Sequence, residues 1–202
     1  MRIKLISKEN LVKLSSYDII AVTGPMAAGK NYICKQLEKY DFVSIDADKT
    51  VHQAIKIATP KILATFEQSA KKAGINLQFE DGSLNRRALG SLVFGNRELL
   101  AKQESIVYPI ILKMIDDFIE AHPDKRIIIN ATVLYKTPVL MEKCQMILYV
   151  TASLFTRLKR AKKRDNLSYK EILKRFLNQK NLLQEYENTG KEILIVRNNK
   201  NS

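Results

Sequence analysis

The sequence holds no tryptophan, two cysteines, five prolines and seven glycines in 202 residues. Cys34 and Cys144 form no CxxC pair, which excludes a disulfide framework or a cysteine metal site and leaves them as reduced packing residues. No apolar run approaches the about eighteen residues of a membrane span. The first residues lack the apolar core and cleavage site of a signal peptide, so a cytoplasmic protein without membrane contact is expected. Acids are also scarce: 21 Asp and Glu stand against 34 Lys and Arg, a net charge of +13. The 24 lysines outnumber the 10 arginines and are spread along the chain. Such a spread reads as compositional bias with some attraction for phosphate, and nucleic acid is not an expected partner.

What the chain does have is a set of five short apolar runs: Ile19–Val22, Phe42–Ile45, Ile127–Ile129, Ile147–Val150 and Ile193–Val196. All but the second, which holds Ser44, are continuous rather than alternating, the mark of strands covered on both faces of a parallel sheet. Helical patterns lie between most of them, so the fold class is α/β, built from βα units. Thr59-Pro60 predicts the start of a helix that Gly74 closes, and Ser168 with Glu171 forms a capping box. The stretch between the second and third strands is too long for a simple crossover. It reads as a helical insert, residues 59–121, that takes the acceptor substrate. A basic helical segment, 153–189, reads as a lid. The core is then 18–58, 122–152 and 190–199 of one domain, 18–199, and residues 1–17 form an extension to which the sequence assigns no role.

Gly24-Pro25-Met26-Ala27-Ala28-Gly29-Lys30 follows the first strand and opens an amphipathic helix. Glycines at this spacing let backbone N–H groups curl around phosphate oxygens, the helix N-terminus adds positive potential, and Lys30 reaches the β- and γ-phosphates. This composition gives about 0.03 chance matches per chain. Gly24, Ala27, Ala28, Gly29, Lys30, Asn31 and Tyr32 are therefore expected to contact ATP. The motif ordinarily ends in Ser or Thr, whose hydroxyl ligates Mg²⁺; Asn31 stands there, and its amide oxygen offers a weaker contact, direct or through water.

The helix expected over Lys30–Tyr40 carries the chain about 15 Å from the phosphates, and the second strand brings it back. Asp48, in Asp46-Ala47-Asp48, thus emerges at the phosphate edge as a candidate general base, besides being able to cap the next helix. Arg157, Arg160 and Arg164 recur at i, i+3 and i+7 and are expected to share a face. Arg160 and Arg164 are the catalytic candidates on it, since planar guanidinium suits phosphoryl oxygens.

These residues resemble the dephospho-coenzyme A kinases. The resemblance rests on the phosphate loop, Asp46-Ala47-Asp48 with His52 four residues on, and Asp81-Gly82-Ser83-Leu84-Asn85-Arg86-Arg87-Ala88-Leu89 followed by Val93-Phe94. Later in the chain it includes Arg160, Arg164-Asp165, Gln179 and Val196-Arg197-Asn198. It implies a P-loop NTPase-type three-layer fold with a five-stranded parallel sheet, an inserted helical substrate subdomain and a helical lid. It also implies ATP, Mg²⁺ and dephospho-coenzyme A as ligands, with Asp48 as base and Asp48, His52 and Arg86 at the acceptor. The chain departs from the family pattern at Asn31, at Tyr108-Pro109 where the family has His-Pro, and at Val133–Thr137 where it has Pro-Leu-Leu-x-Glu. Ala131 stands where an acid is usual. Two other classes fit parts of the sequence: a nucleotide or shikimate kinase, and a weakened nucleotide-binding protein.

Overall fold

A computed structural model describes residues 6–199. Five parallel strands form one sheet in the order β2-β3-β1-β4-β5: β1 Ile19–Thr23, β2 Phe42–Asp46, β3 Arg126–Asn130, β4 Met146–Thr151 and β5 Ile193–Arg197. Each expected apolar run became a strand, extended by one or two residues. Continuous apolar strands have no solvated face, and the three central ones are buried accordingly: Ile20, Ala21, Val22, Ile128, Ile129, Ile147 and Leu148 are fully buried. The register pairs Val22 with Asn130 and Asp46 with Asn130, so the carboxyl ends of β1, β2 and β3 finish level.

The chain divides into two compact units. One is formed by the segments before Ala47 and after Phe118 and carries the sheet; the other is Ala47–Phe118. The first holds α1 Lys8–Leu14, α2 Lys30–Leu37 and, beyond three helices that begin in the second, α6 Pro138–Lys143, α7 Leu154–Asp165, α8 Tyr169–Leu177 and α9 Leu182–Glu187. The segment read as one basic lid is thus three helices, broken where Asn166 turns left-handed (φ 51°) and after Leu177. The capping box of Ser168 and Glu171 starts α8 as expected.

Residues ahead of β1 are part of the core. Ser7 caps α1 through Asn10 N–H. Leu14 is fully buried in a cluster with Leu37, Phe42 and Met146, and Ile6, Leu11 and Tyr17 pack against it. The Arg126 Nε donates to the Ser15 carbonyl at 2.8 Å, and Tyr17 and Lys13 both meet Glu192 at the start of β5. Cys34 and Cys144 are free, buried thiols, each pushed up to about 12 by burial.

The second unit begins at Ala47, not at residue 59. Its first helix, α3 Ala47–Ala73, runs unbroken through Pro60, where the sequence predicts a new start at Thr59. A proline inside a helix removes one N–H bond. Here the loss falls on an exposed turn, the Thr59 hydroxyl bonds back to the Ile55 carbonyl at 3.0 Å, and the buried stripe Ala47, Thr50, Ala54, Ala58, Ile62, Phe66, Ala70 continues across the proline without a phase slip. Packing of that stripe outweighs the lost bond. The unit also holds α4 Arg86–Val93, capped by Asn85, and α5 Arg97–Glu120. Among the described residues no helix is long and apolar enough to cross a membrane.

Because Leu14 has no solvent exposure, Leu14→Ala should cost about 2–5 kcal/mol. Urea unfolding would show this as a lower midpoint at unchanged slope; a midpoint equal to that of the wild type would mean that α1 is only draped on the surface.

Candidate nucleotide site

The site grows out of the turn between β1 and α2, and two glycines make that turn possible. Gly24 has φ 143°, and a Cβ there would lie 2.0 Å from the Val150 carbonyl oxygen of β4. Gly29 has φ 96°, caps α2 without a side chain, and a Cβ there would meet Asn198 Nδ2 at 2.2 Å. Between them Ala27 is left-handed at φ 62°. The Ala28 side chain is fully buried, so this residue offers only backbone to a ligand.

The loop carbonyls are held from outside. Asn198, 2% exposed and just past β5, donates to the Ala28 carbonyl at 3.0 Å. Arg160 donates to the Ala28 and Ala27 carbonyls at 3.2 and 3.4 Å and to Asn198 Oδ1 at 3.4 Å. With carbonyls turned back, the loop presents its other face to a cavity of about 530 Å³ lined by Ala27, Gly29, Lys30, Asn31, Arg160, Lys163 and Arg164. Every charged residue in that lining is a cation, which suits a polyanion such as a nucleoside triphosphate. Burial draws the Arg160 guanidinium below its ordinary value, whereas the hydrogen bonds from Arg164 to Asp165 raise that of Arg164. Both stay charged at neutral pH.

Lys30 Nζ donates to the Gly24 carbonyl at 3.1 Å and to Thr132 Oγ1 at 3.0 Å, so its ammonium lies back across the loop. Thr132 is fixed in turn: its carbonyl accepts from Thr23 Oγ1 at 3.3 Å and from the fully buried Tyr186 hydroxyl at 3.2 Å, while that hydroxyl accepts the Leu134 N–H at 2.9 Å. Burial pushes the Tyr186 phenol up to about 12, keeping it a donor.

Several expected contacts fall elsewhere. Tyr32 is 43% exposed and is not in the cavity lining. Arg157 does not join Arg160 and Arg164: its Nε donates to the Met26 carbonyl at 2.9 Å and its guanidinium lies 4.1 Å from the centre of the Phe176 ring. Identical helical spacing does not settle direction when one arginine has an aromatic ring to lie on. Ala131, where the family pattern has an acid, is buried just past the end of β3, and the residue that meets Asn31 is its neighbour. The partner is Asn130, whose Nδ2 donates to Asn31 Oδ1 at 2.8 Å. Asn130 is 5% exposed and its Oδ1 has no hydrogen-bond partner among the described residues. Lys163, Thr132 and Asn130 escaped the sequence reading. Asn130 alone had a signal, a polar residue ending an all-isoleucine strand.

In the other unit a groove of about 970 Å³ gathers His52 and Lys56 of α3, Phe79, Asp81, and Arg86 and Arg87 of α4. The turn beneath it is tied by Asp81, which accepts from the Ser83 amide and hydroxyl at 2.9 and 2.6 Å. Those bonds hold the Asp81 carboxyl below its ordinary range. Asp48 is exposed in the first turn of α3, two residues past the end of β2.

A family model described as dephospho-CoA kinase matches residues 18–202. The chain belongs to that family. It is 37% identical over 196 residues to a dephospho-CoA kinase of Treponema denticola, covering 95% of this chain and 87% of that one. With the Treponema pallidum dephospho-CoA kinase it shares 32% identity, over 80% of this chain and 78% of the other. A solved Thermus thermophilus protein superposes with a TM-score of 0.73 at 22% identity, covering 91% and 90% of the two chains. The Campylobacter jejuni dephospho-CoA kinase does so with 0.64 at 22%, covering 92% and 90%. The family model begins at residue 18, so α1 lies outside it although Leu14 is in the core.

Gly24→Ala forces a methyl group against the Val150 backbone, and we expect it to destabilise the first unit by about 3 kcal/mol or more. Chemical unfolding of the variant checks this; stability within 1 kcal/mol of wild type, about the scale of a surface change, would show that the loop has room to shift.

Proposed function

We propose that the chain transfers the γ-phosphate of ATP to the ribose 3′-hydroxyl of dephospho-coenzyme A, the last step of coenzyme A biosynthesis. The family match across residues 18–202 carries this reading, and the wholly cationic charge of the cavity lining supports it. In the reaction the bond from the γ-phosphorus to the bridging β-oxygen breaks as the 3′-oxygen bonds to phosphorus. Such a transition state calls for positioning and charge balance rather than covalent chemistry. Lys30 leaves Thr132 and the Gly24 carbonyl for the β- and γ-oxygens. Arg160 and Arg164 balance the charge on the moving group, and the backbone of Gly24, Ala27, Ala28 and Gly29 holds the phosphate chain. Asp48 takes the 3′-hydroxyl proton or holds that hydroxyl in line. His52 and Arg86 hold the acceptor, Arg86 as a cation for its phosphates.

Nucleotide kinases of this kind use Mg²⁺, and the residues at the loop fit it in a reduced form. Asn31 and Asn130 bring amide oxygens, and the buried Asn130 Oδ1, without a hydrogen-bond partner among the described residues, is an oxygen that a cation or its water would satisfy. Asn31 Oδ1 already accepts from Asn130, so its part is through water. When bound, the ion screens the phosphate oxygens. Neutral ligands leave most of its affinity to the nucleotide.

The test of the whole reading is ADP release measured with dephospho-coenzyme A, AMP and shikimate side by side. Dependence on dephospho-coenzyme A alone is expected; equal stimulation by AMP would place the protein among nucleotide kinases, and ATP binding without turnover would make it a weakened nucleotide-binding protein. Within it, Asp48→Asn should lower kcat by about 10²–10⁴-fold with ATP affinity little changed. A variant that turned over normally but melted earlier would reduce Asp48 to a stabilising acid in the first turn of α3. Asn130→Asp adds a charged ligand and should lower the half-saturating Mg²⁺ concentration about tenfold. Coincident Mg²⁺ titrations of the two proteins would remove Asn130 from the ion's surroundings.

A further inference from the structure

Met26, at the apex of the phosphate loop, is gripped at both ends of its backbone by side chains from more than a hundred residues away. Its N–H donates to Gln179 Oε1 at 2.7 Å, and its carbonyl accepts from Arg157 Nε at 2.9 Å. A backbone N–H needs an oxygen, so the orientation of the Gln179 amide is settled by chemistry. Gln179 is itself fixed by its own N–H, which donates to the Phe176 carbonyl at 3.0 Å, and Phe176 is the residue whose ring lies under Arg157. The side chains of Met26 and Ala27 pack with Leu158 and Leu167 against the buried cluster Ala161, Ile172 and Phe176. Apex, α7 and α8 therefore share one small apolar core.

This grip falls where the loop needs it. Ala27, the next residue, is left-handed, a conformation that is unfavourable for alanine and that persists only where the surroundings impose it. The Met26 N–H points at Gln179 and the Ala28 N–H donates to the Pro25 carbonyl at 3.1 Å. With its N–H taken by Gln179, Met26 serves as the loop's anchor rather than as a phosphate ligand.

We infer that Gln179 is a positioning residue for nucleotide binding: with Arg157 on the opposite end of the same residue, it pins the apex so that the left-handed turn at Ala27, and with it the phosphate-facing backbone, is formed before nucleotide arrives. Arg157 holds the loop while Arg160 and Arg164, on the same helix, face the cavity. The loop and α7 then behave as one body, and any swing of α7 away from the sheet must first break the bonds at Met26. The assignment rests on reading the cavity as a nucleotide site.

The experiment combines amide hydrogen exchange without nucleotide and ATP titration calorimetry, on wild type, Gln179→Leu and Gln179→Glu. Leucine removes the acceptor at similar size, and glutamate keeps an oxygen. In the wild type the Met26 amide should exchange slowly. In Gln179→Leu it should exchange at least about tenfold faster, with the Ile128 amide of β3 still protected as evidence of an intact sheet. The ATP Kd should rise about tenfold, the scale of one hydrogen bond, while kcat at saturating ATP stays within about twofold. Gln179→Glu should keep both Met26 protection and ATP affinity within about threefold of wild type. Rapid exchange of Met26 in the wild type overturns the proposal without any variant, so a Gln179→Leu chain that failed to fold would not rescue it. Unchanged exchange or unchanged Kd in a folded Gln179→Leu also overturns it. A wild type that protects Met26 but binds no ATP would sink the nucleotide reading and leave the clamp standing.

Discussion

One buried junction governs the unit that carries the sheet: the side-chain-free Gly29 lying against Asn198, with no room for even a methyl group between them. Asn198 ends the last strand, bonds the Ala28 carbonyl and receives Arg160, which bonds the same carbonyl. The turn after β1, the residue following the last strand and the basic helix α7 are thus joined by polar groups removed from water, where an unmade hydrogen bond costs more than a made one gains. The parallel sheet makes the junction possible, because β1, β4 and β5 all deliver their following residues to one edge. The glycine motif needs this backing. Curling N–H groups inward turns carbonyls outward, and outward carbonyls need donors, here Arg160, Arg157 and Asn198.

Electrostatics follow the same division between what is buried and what is not. The ion pairs of Glu67 with Lys71, Glu98 with Lys102 and Lys113 with Asp117 are exposed helix pairs, screened by solvent. They contribute little to the fold, and the excess of +13 is mostly a property of solvated surface. Around the cavity the same excess gathers Lys30 with Arg160, Lys163 and Arg164, the last three within one helical turn or so of α7.

The sheet was legible because its signal is local. Ile127–Ile129 or Ile147–Val150 can only be strands covered on both sides, and the glycine spacing located the turn that follows β1. The cation set was mostly legible for the same reason: Lys30 belongs to a motif and the arginines stand out in a lysine-rich chain. What stayed hidden depends on contacts distant in sequence. Nothing near Leu14 says that it will pack on Leu37 and Met146, and a seven-residue helix has too few turns to show a stripe. Pro60 read as a helix start because the rule for proline is local, whereas the stripe from Ala47 to Ala70 that carries the helix through it is not. Arg157 shared a spacing with Arg160, yet Phe176, nineteen residues on, decides where it points. Asn130 mattered only once the register set it beside Asn31.

If the junction at Asn198 is what holds the phosphate cradle in shape, removing the amide while leaving the sheet intact should be felt first by the nucleotide. The direct measurement is ATP binding by titration calorimetry to Asn198→Ala beside the wild type, with β5 monitored by amide exchange at Ile195. The Kd for ATP should rise by about tenfold or more, since at least two hydrogen bonds to the loop and Arg160 are lost, while Ile195 exchange is little altered. An ATP affinity equal to that of the wild type, in a protein whose last strand is intact, would contradict it.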